Sequence, residues 1–241
     1  GDTVGASPRY SALLRDEPAV LFFNTFADEN SMGRTEKKHD SCNVIAIPGN
    51  HELNNGLDEL LRKVNGGNGS SDIPHIVDAY PGMDADVICA NIVWKANETP
   101  IFPPYTIRYI EGVPVACIGA VTIETPILEL PMNVDMVTFL NESEGINRYI
   151  PSLQEQGVHA FVVLLHEGGN QESYEGPTRH DCNVTGPIVN ITAQLDPDVD
   201  VVLAAHSHDF INAYLPNAGQ KDVLVVQAYS YGTAYADVNV S

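Results

Sequence analysis

Asn50 and His51 sit where an apolar run breaks into a loop. The run is 43–47, Asn-Val-Ile-Ala-Ile, which reads as a short buried strand ended by Pro48 and Gly49. An amide oxygen at such a point can bind a metal ion, and the adjacent imidazole can work on a substrate. The same event recurs along the chain. The run 160–165 stops at His166-Glu167-Gly168-Gly169, and the run 199–205 stops at His206-Ser207-His208. At the start, Gly1-Asp2-Thr3-Val4-Gly5 sets a carboxylate in a glycine turn. Ligands gather at the carboxyl ends of strands in open α/β sheets. Carboxylate, amide and imidazole together suit a hard or borderline divalent ion.

The elements that must position these residues alternate between strand-like and helix-like patterns, which points to α/β layers. Ser7 as N-cap with Pro8 as first residue predicts a helix to about Arg15. A second helix follows from Pro18 to about Phe26, with Leu21, Phe22 and Phe26 as its buried face. The polar, mixed-charge stretch 28–41 reads as an inserted surface loop holding a solvated His39. Residues 57–64 form an amphipathic helix, and 66–71 a loop. Apolar runs at 73–77, 87–93, 106–110, 113–121 and 136–138 read as strands, with Glu111-Gly112 as a hairpin turn. Residues 143–156 read as a helix bent by Pro151, with Ile146, Ile150 and Leu153 on one face. A polar loop at 168–183, a helix after Pro187 and late strands at 223–227 and 235–240 complete the chain.

The 241 residues can bury a substantial core. Twelve basic side chains stand against 32 acidic ones, for a formal net charge of −20. Such a surface repels nucleic-acid backbones and anionic membranes. It also repels a phosphate substrate unless bound cations reverse the sign locally. No apolar run is long enough for a transmembrane helix. The four cysteines are too few for a disulfide scaffold; Cys89 and Cys117 read as buried thiols. Asn-x-Ser/Thr occurs at Asn68, Asn97, Asn141, Asn183, Asn190 and Asn239, more often than composition predicts, and suggests a secreted glycoprotein. A chance cluster in an exported bacterial protein is the other reading. His75 and His159 read as core or edge residues. Asn91 is a weaker candidate to face the site, and Glu52 and Glu167 are either supports of the ligands or plain surface acids.

The order GD-x-x-G, GNHE, HEGG, H-x-H resembles the calcineurin-like metallophosphoesterases, specifically their 5'-nucleotidase branch. Further matches lie at Phe102-Pro103-Pro104-Tyr105, Gly186-Pro187-Ile188-Val189 and Tyr229-Ser230-Tyr231-Gly232. The resemblance implies a two-sheet sandwich flanked by helices, a four-layer αββα arrangement, with metals at one edge. It implies two divalent ions (Zn, Mn, Mg or Fe). Asp2 would serve both, Asn50, His166 and His206 would complete one site, and His208 would serve the other. His51 would contact the phosphate or protonate the leaving oxygen. A Cys near 182 pairs in relatives with one after H-x-H; none follows His208 here.

Set against that family, residues 1–241 read as a single metallophosphatase-like domain truncated at both ends, without the upstream D-x-H strand or the C-terminal nucleotide-binding domain. At most one ion is then expected in this chain, with weak or no activity, unless Glu52 or His180 takes over as a ligand. Asn54 stands where relatives carry the Asp that orients the GNHE imidazole. An amide can hydrogen-bond the ring but cannot balance its cation as a carboxylate does. Two functions follow. One is a metal-dependent hydrolase of nucleotides or related phosphoesters, secreted or extracellular, or periplasmic if bacterial. The other is a non-catalytic relative serving structure, binding or assembly, with self-association as one form of it.

Overall fold

The computed structural model describes residues 1–27, 44–67, 80–180 and 183–239. The expected loop at 28–41 with His39, the run 73–77 with His75, the sequon at Asn68, and Cys42 and Cys182 lie outside the described residues.

Among the described residues, ten strands form one large sheet and two small pairs. The large sheet contains β4 (Tyr105–Ile110), β5 (Val113–Val121), β7 (Ala160–His166), β8 (Val199–Ala204), β9 (Phe210–Pro216) and β10 (Asp222–Ala228), in the order β4-β5-β7-β8-β10-β9. Strands β5, β7, β8 and β10 run parallel, so their carboxyl ends share one edge. The antiparallel β4–β5 hairpin turns at Glu111 and Gly112, both at positive φ (50° and 87°), as the tight hairpin turn requires. The small pairs are β1 (Ile45–Ala46) with β2 (Asp86–Val87), and β3 (Ile92–Trp94) with β6 (Val137–Phe139).

Alternation along the large sheet sends two apolar faces in opposite directions. Ala116, Ile118, Phe161, Val163, Val202, Ile211 and Val225 pack beneath α6 (Glu142–Asn147), α7 (Ile150–Gln154) and α8 (Pro187–Thr192). Cys117, Val162 and Leu164 meet Ile45, Ile47 and Ile88 on the other face. Beyond the small pairs, Leu57 and Leu60 of α3 (Leu57–Asn65) cover Val87 and Ile92. This is the four-layer αββα order, although among the described residues the second sheet consists only of the two short pairs.

Several local expectations are corrected. The first helix, α1, is only Arg9–Ala12, with Pro8 at its cap position; Arg15 and Asp16 adopt positive φ (55° and 58°) and stop it. Helix α2 (Glu17–Ala27) buries Val20, Asn24 and Ala27, while Phe22, Phe23 and Phe26 are exposed, Phe22 packing edge-on against the other two. Polar anchors set this rotation: Asn24 Nδ2 donates to the Gly82 carbonyl at 2.8 Å, and Arg62 pairs with Glu17 at 3.0 Å. The helix expected at 143–156 is two helices, with Asn141 capping the first and Pro151 as second residue of the other, which begins at Ile150. Its expected buried face holds. Residues 235–239 form no strand; the late partner of β10 is β9, whose apolar Ile211 and Ala213 alternate with outward Asn212 and Tyr214. Helices α4 (Thr125–Leu128) and α5 (Pro131–Val134) fall in a stretch where the sequence showed no periodic pattern.

Candidate metal and phosphoester site

Four separated segments meet at the carboxyl edge of the large sheet. Asp2 Oδ2 lies 3.0 Å from His166 Nε2, and Asn50 Oδ1 lies 3.3 Å from the same nitrogen. The rings of His166 and His206 are edge-to-face with centroids 5.0 Å apart. Ligand-type atoms of Asp2, His166 and His206 all fall within 4.8 Å of one another. His166 ends β7 and His206 follows β8, so the parallel register of those strands places them side by side.

Close approach is possible because residue 49 has no side chain. A Cβ there would lie 2.2 Å from Asp2 Oδ1 and 2.7 Å from His166 Nε2. Gly5, at φ 87°, is equally constrained, since a Cβ would lie 2.0 Å from the His51 carbonyl. Asp2, His206 and His208 also hold positive φ (58°, 73° and 62°). Left-handed backbone at a non-glycine residue costs free energy and collects at functional sites. At His206 the Ser207 N–H donates back to the Ala205 carbonyl at 2.9 Å, closing a three-residue turn. Gln227 braces that turn through Ser207 Oγ and the Asp209 carbonyl, each at 2.8 Å.

Glu52 is buried and supports the site from behind. Its carboxylate accepts the N–H groups of Asp2 (2.8 Å), Thr3 (2.6 Å), Val4 (3.2 Å) and Gly49 (2.5 Å). It therefore ties the first turn to the GNHE loop. Of the two sequence readings for Glu52, this is the supporting one.

Burial opposes ionisation of Asp2, but the hydrogen bonds from His166 and from the His51 N–H outweigh it and hold the carboxyl below its ordinary value. Burial lowers the His166 pKa despite Asp2, favouring the neutral ring that binds metals. A neutral ring has at most one proton at Nε2 for two facing oxygens, and His166 Nδ1 is buried without a hydrogen-bond partner. Oxygen and nitrogen acceptors converging on one point fit a divalent ion better than they fit each other.

His51 sits beside this cluster, with its backbone N–H on Asp2 Oδ1 at 3.0 Å. Its ring Nδ1 is 3.1 Å from Asn54 Oδ1. His208 lies outside the mutually close set, and its ring meets Tyr231 at 5.5 Å. His180 pairs with Asp222 at 3.6 Å and stacks on Tyr214, at the end of β10 away from His206. Glu167 accepts the N–H of Gly168 at 2.8 Å. Asn91 does not face the site: fully buried, it bonds the Val121 and Leu140 carbonyls and ties β5 to β6. His159 is exposed. Among the sequons, Asn97, Asn183, Asn190 and Asn239 are exposed, whereas Asn141 is half-buried with its side chain engaged as a helix cap. Cys89 and Cys117 are buried and free, and burial raises the Cys89 thiol to about 11.

The sequence of residues 15–210 matches the family model for calcineurin-like phosphoesterases. The chain belongs to this family. It is 33% identical over 240 residues to Endonuclease YhcR of Bacillus subtilis, covering all of this chain and 17% of that protein. It is 36% identical over 251 residues to cell wall protein Lmo0130 of Listeria monocytogenes, covering 99% of this chain and 29% of that protein. The chain thus spans well under a third of either relative. In fold it is similar to the 5'-nucleotidase precursor of Thermus thermophilus, with a TM-score of 0.58 and 24% identity over 78% of this chain and 34% of that one. Within this calcineurin-like phosphoesterase, no described helix is long and apolar enough to cross a membrane.

Proposed function

We propose that this domain hydrolyses phosphoesters of the nucleotide type with divalent metal ions as cofactor. The convergence of Asp2, Asn50, His166 and His206 from four segments, with His51 alongside, carries the reading. Asp2, Asn50, His166 and His206 would hold one ion, and Asp2 with His208 is this chain's contribution to a second. Bound ions activate water and neutralise phosphate charge. The chain's own residues do the rest. Asp2 and Glu52 fix the loop that carries His51. His51 binds the phosphate oxygens or gives a proton to the leaving oxygen, and Asn54 orients its ring. The acidic surface makes that local positive charge the attractor for substrate. The cell-wall relative supports a place at the cell surface or outside the cell.

A second reading concerns the ester itself. The Bacillus relative, an endonuclease, favours a phosphodiester over a monoester, while the likeness to the Thermus 5'-nucleotidase favours the monoester. Release of phosphate from AMP and of nitrophenol from bis(nitrophenyl) phosphate, each with Mn, Zn, Mg or Fe and with chelator, separates the two. Loss of both activities on chelation and in His166→Ala is expected. Hydrolysis indifferent to chelator would sink the metal-dependent reading, and no hydrolysis in intact, metal-loaded protein would favour a non-catalytic role.

A further inference from the structure

Asn54 does not act on His51 alone. Its Nδ2 donates to both carboxylate oxygens of Glu129, at 2.8 and 3.0 Å. Glu129 is 75 residues away in sequence and half-buried at the end of α4. On the other side, Asn54 Oδ1 receives the Ala6 N–H at 2.9 Å and faces His51 Nδ1 at 3.1 Å. The Asn54 backbone is fixed as well: its carbonyl accepts from Asn133 Nδ2 at 2.9 Å.

The chemistry of an amide makes this arrangement directional. The two ends of an Asn side chain have nearly the same shape, and a half-turn exchanges acceptor for donor. With the NH₂ end toward His51, the ring would need a lone pair at Nδ1. With the oxygen end toward His51, the ring must carry its proton at Nδ1. An ionised carboxylate only accepts, so Glu129 draws the NH₂ end to itself, and the Ala6 N–H, a donor only, holds the oxygen end in place. The neutral ring is thereby set to the Nδ1–H form, with a lone pair at Nε2 toward the substrate; a proton reaches the leaving oxygen from Nε2 only when the ring is the imidazolium, whose Nδ1–H still meets Asn54 Oδ1.

We infer that Glu129 is a positioning residue for His51, acting through Asn54: a His51–Asn54–Glu129 chain fixes the imidazole tautomer and places a carboxylate one amide away from the ring. The inference rests on the catalytic role proposed for His51, but its geometry does not.

The test uses the intact protein and two independent readouts. In metal-free protein labelled with ¹⁵N-histidine, the ring nitrogens of His51 should report the Nδ1–H form, and Glu129→Ala should shift them toward a mixture. In metal-loaded protein, Glu129→Ala should lower kcat about tenfold with KM little changed, the scale of losing an outer-shell partner. Asn54→Asp alone sets two carboxylates against each other and should also lower kcat. Asn54→Asp combined with Glu129→Gln restores a donor–acceptor match and should recover most of the loss. A merely structural contact would leave the His51 nitrogen signals unmoved. Unchanged His51 nitrogen signals in a folded Glu129→Ala or Glu129→Leu variant would overturn the inference, as would a double variant no better than Asn54→Asp. Absence of hydrolysis in the unsubstituted protein would count against the proposed function, while the nitrogen signals would still decide the role of Glu129.

Discussion

Glu52 holds Asp2 by its backbone and not by its side chain: the Asp2 N–H donates to Glu52 Oε2 at 2.8 Å. The side chain of Asp2 is left free to face His166. Removing the carboxylate in Glu52→Ala strands four N–H donors, three of them on the first turn, and should cost about 3 kcal/mol or more in unfolding free energy. Glu52→Gln keeps the size, lacks the charge, and should weaken metal binding about 10- to 100-fold. Isothermal titration with Mn or Zn measures the second effect; unchanged affinity in Glu52→Gln would show that the turn does not need the charge.

His51→Ala should lower turnover about 10²-fold or more, the scale of losing a general acid. Metal content should stay the same, because His51 is not among the mutually close ligand atoms. Steady-state kinetics with elemental analysis on the same sample checks both statements together.

Asp2, Asn50, His166 and His206 should together hold one divalent ion tightly. His166→Ala should abolish that binding, and His208→Ala should leave it nearly intact. Elemental analysis after dialysis reads the stoichiometry. Two tightly held ions per chain would mean that a further residue completes a second site.

Asp16 makes the fold sensitive to acid. Its carboxylate accepts Gly5 N–H at 3.0 Å and Ser11 Oγ–H at 2.7 Å. Burial raises its pKa, but the Ser11, Ser7 and Gly5 hydrogen bonds and the Lys63 charge together bring it below 3.8. A depressed carboxyl stabilises the native state above its unfolded value, and that stability is lost as pH falls from about 3.8 through the folded value. Asp16→Asn should therefore be less stable than the unsubstituted chain near neutral pH, with the gap narrowing below about pH 4. Urea midpoints across that range provide the measurement; a constant gap would contradict the linkage.

Phe161, fully buried in β7, lies in the apolar layer beneath α6, α7 and α8. Phe161→Ala should cost about 3–5 kcal/mol and lower the Tm accordingly. A loss under about 1 kcal/mol would mean that the layer collapses into the space.

Much of the site was legible because strand ends are legible. His166 and His206 stand where unbroken apolar runs stop, and parallel pairing of β7 and β8 makes such ends neighbours. Glu129 left no trace, since its partner is 75 residues distant and nothing around it is periodic. Glu52 was ambiguous because a carboxylate that binds backbone N–H groups has no sequence signature. The rotation of α2 is not legible in apolar content, which favours Phe22 and Phe26, whereas Asn24 and the Arg62–Glu17 pair decide it. Strand β9 is hard to read because Phe210 and Tyr214 place large apolar rings on the face opposite Ile211 and Ala213.

The left-handed turn at His206 has a consequence for variation at that position. At φ 73° glycine is the residue with least strain, and the three-residue turn closes through backbone atoms alone. His206→Gly would thus relax the backbone while deleting an imidazole from the cluster. A screen for thermal tolerance should enrich that change and a screen for metal binding should reject it, so the two selections should pull this one position in opposite directions.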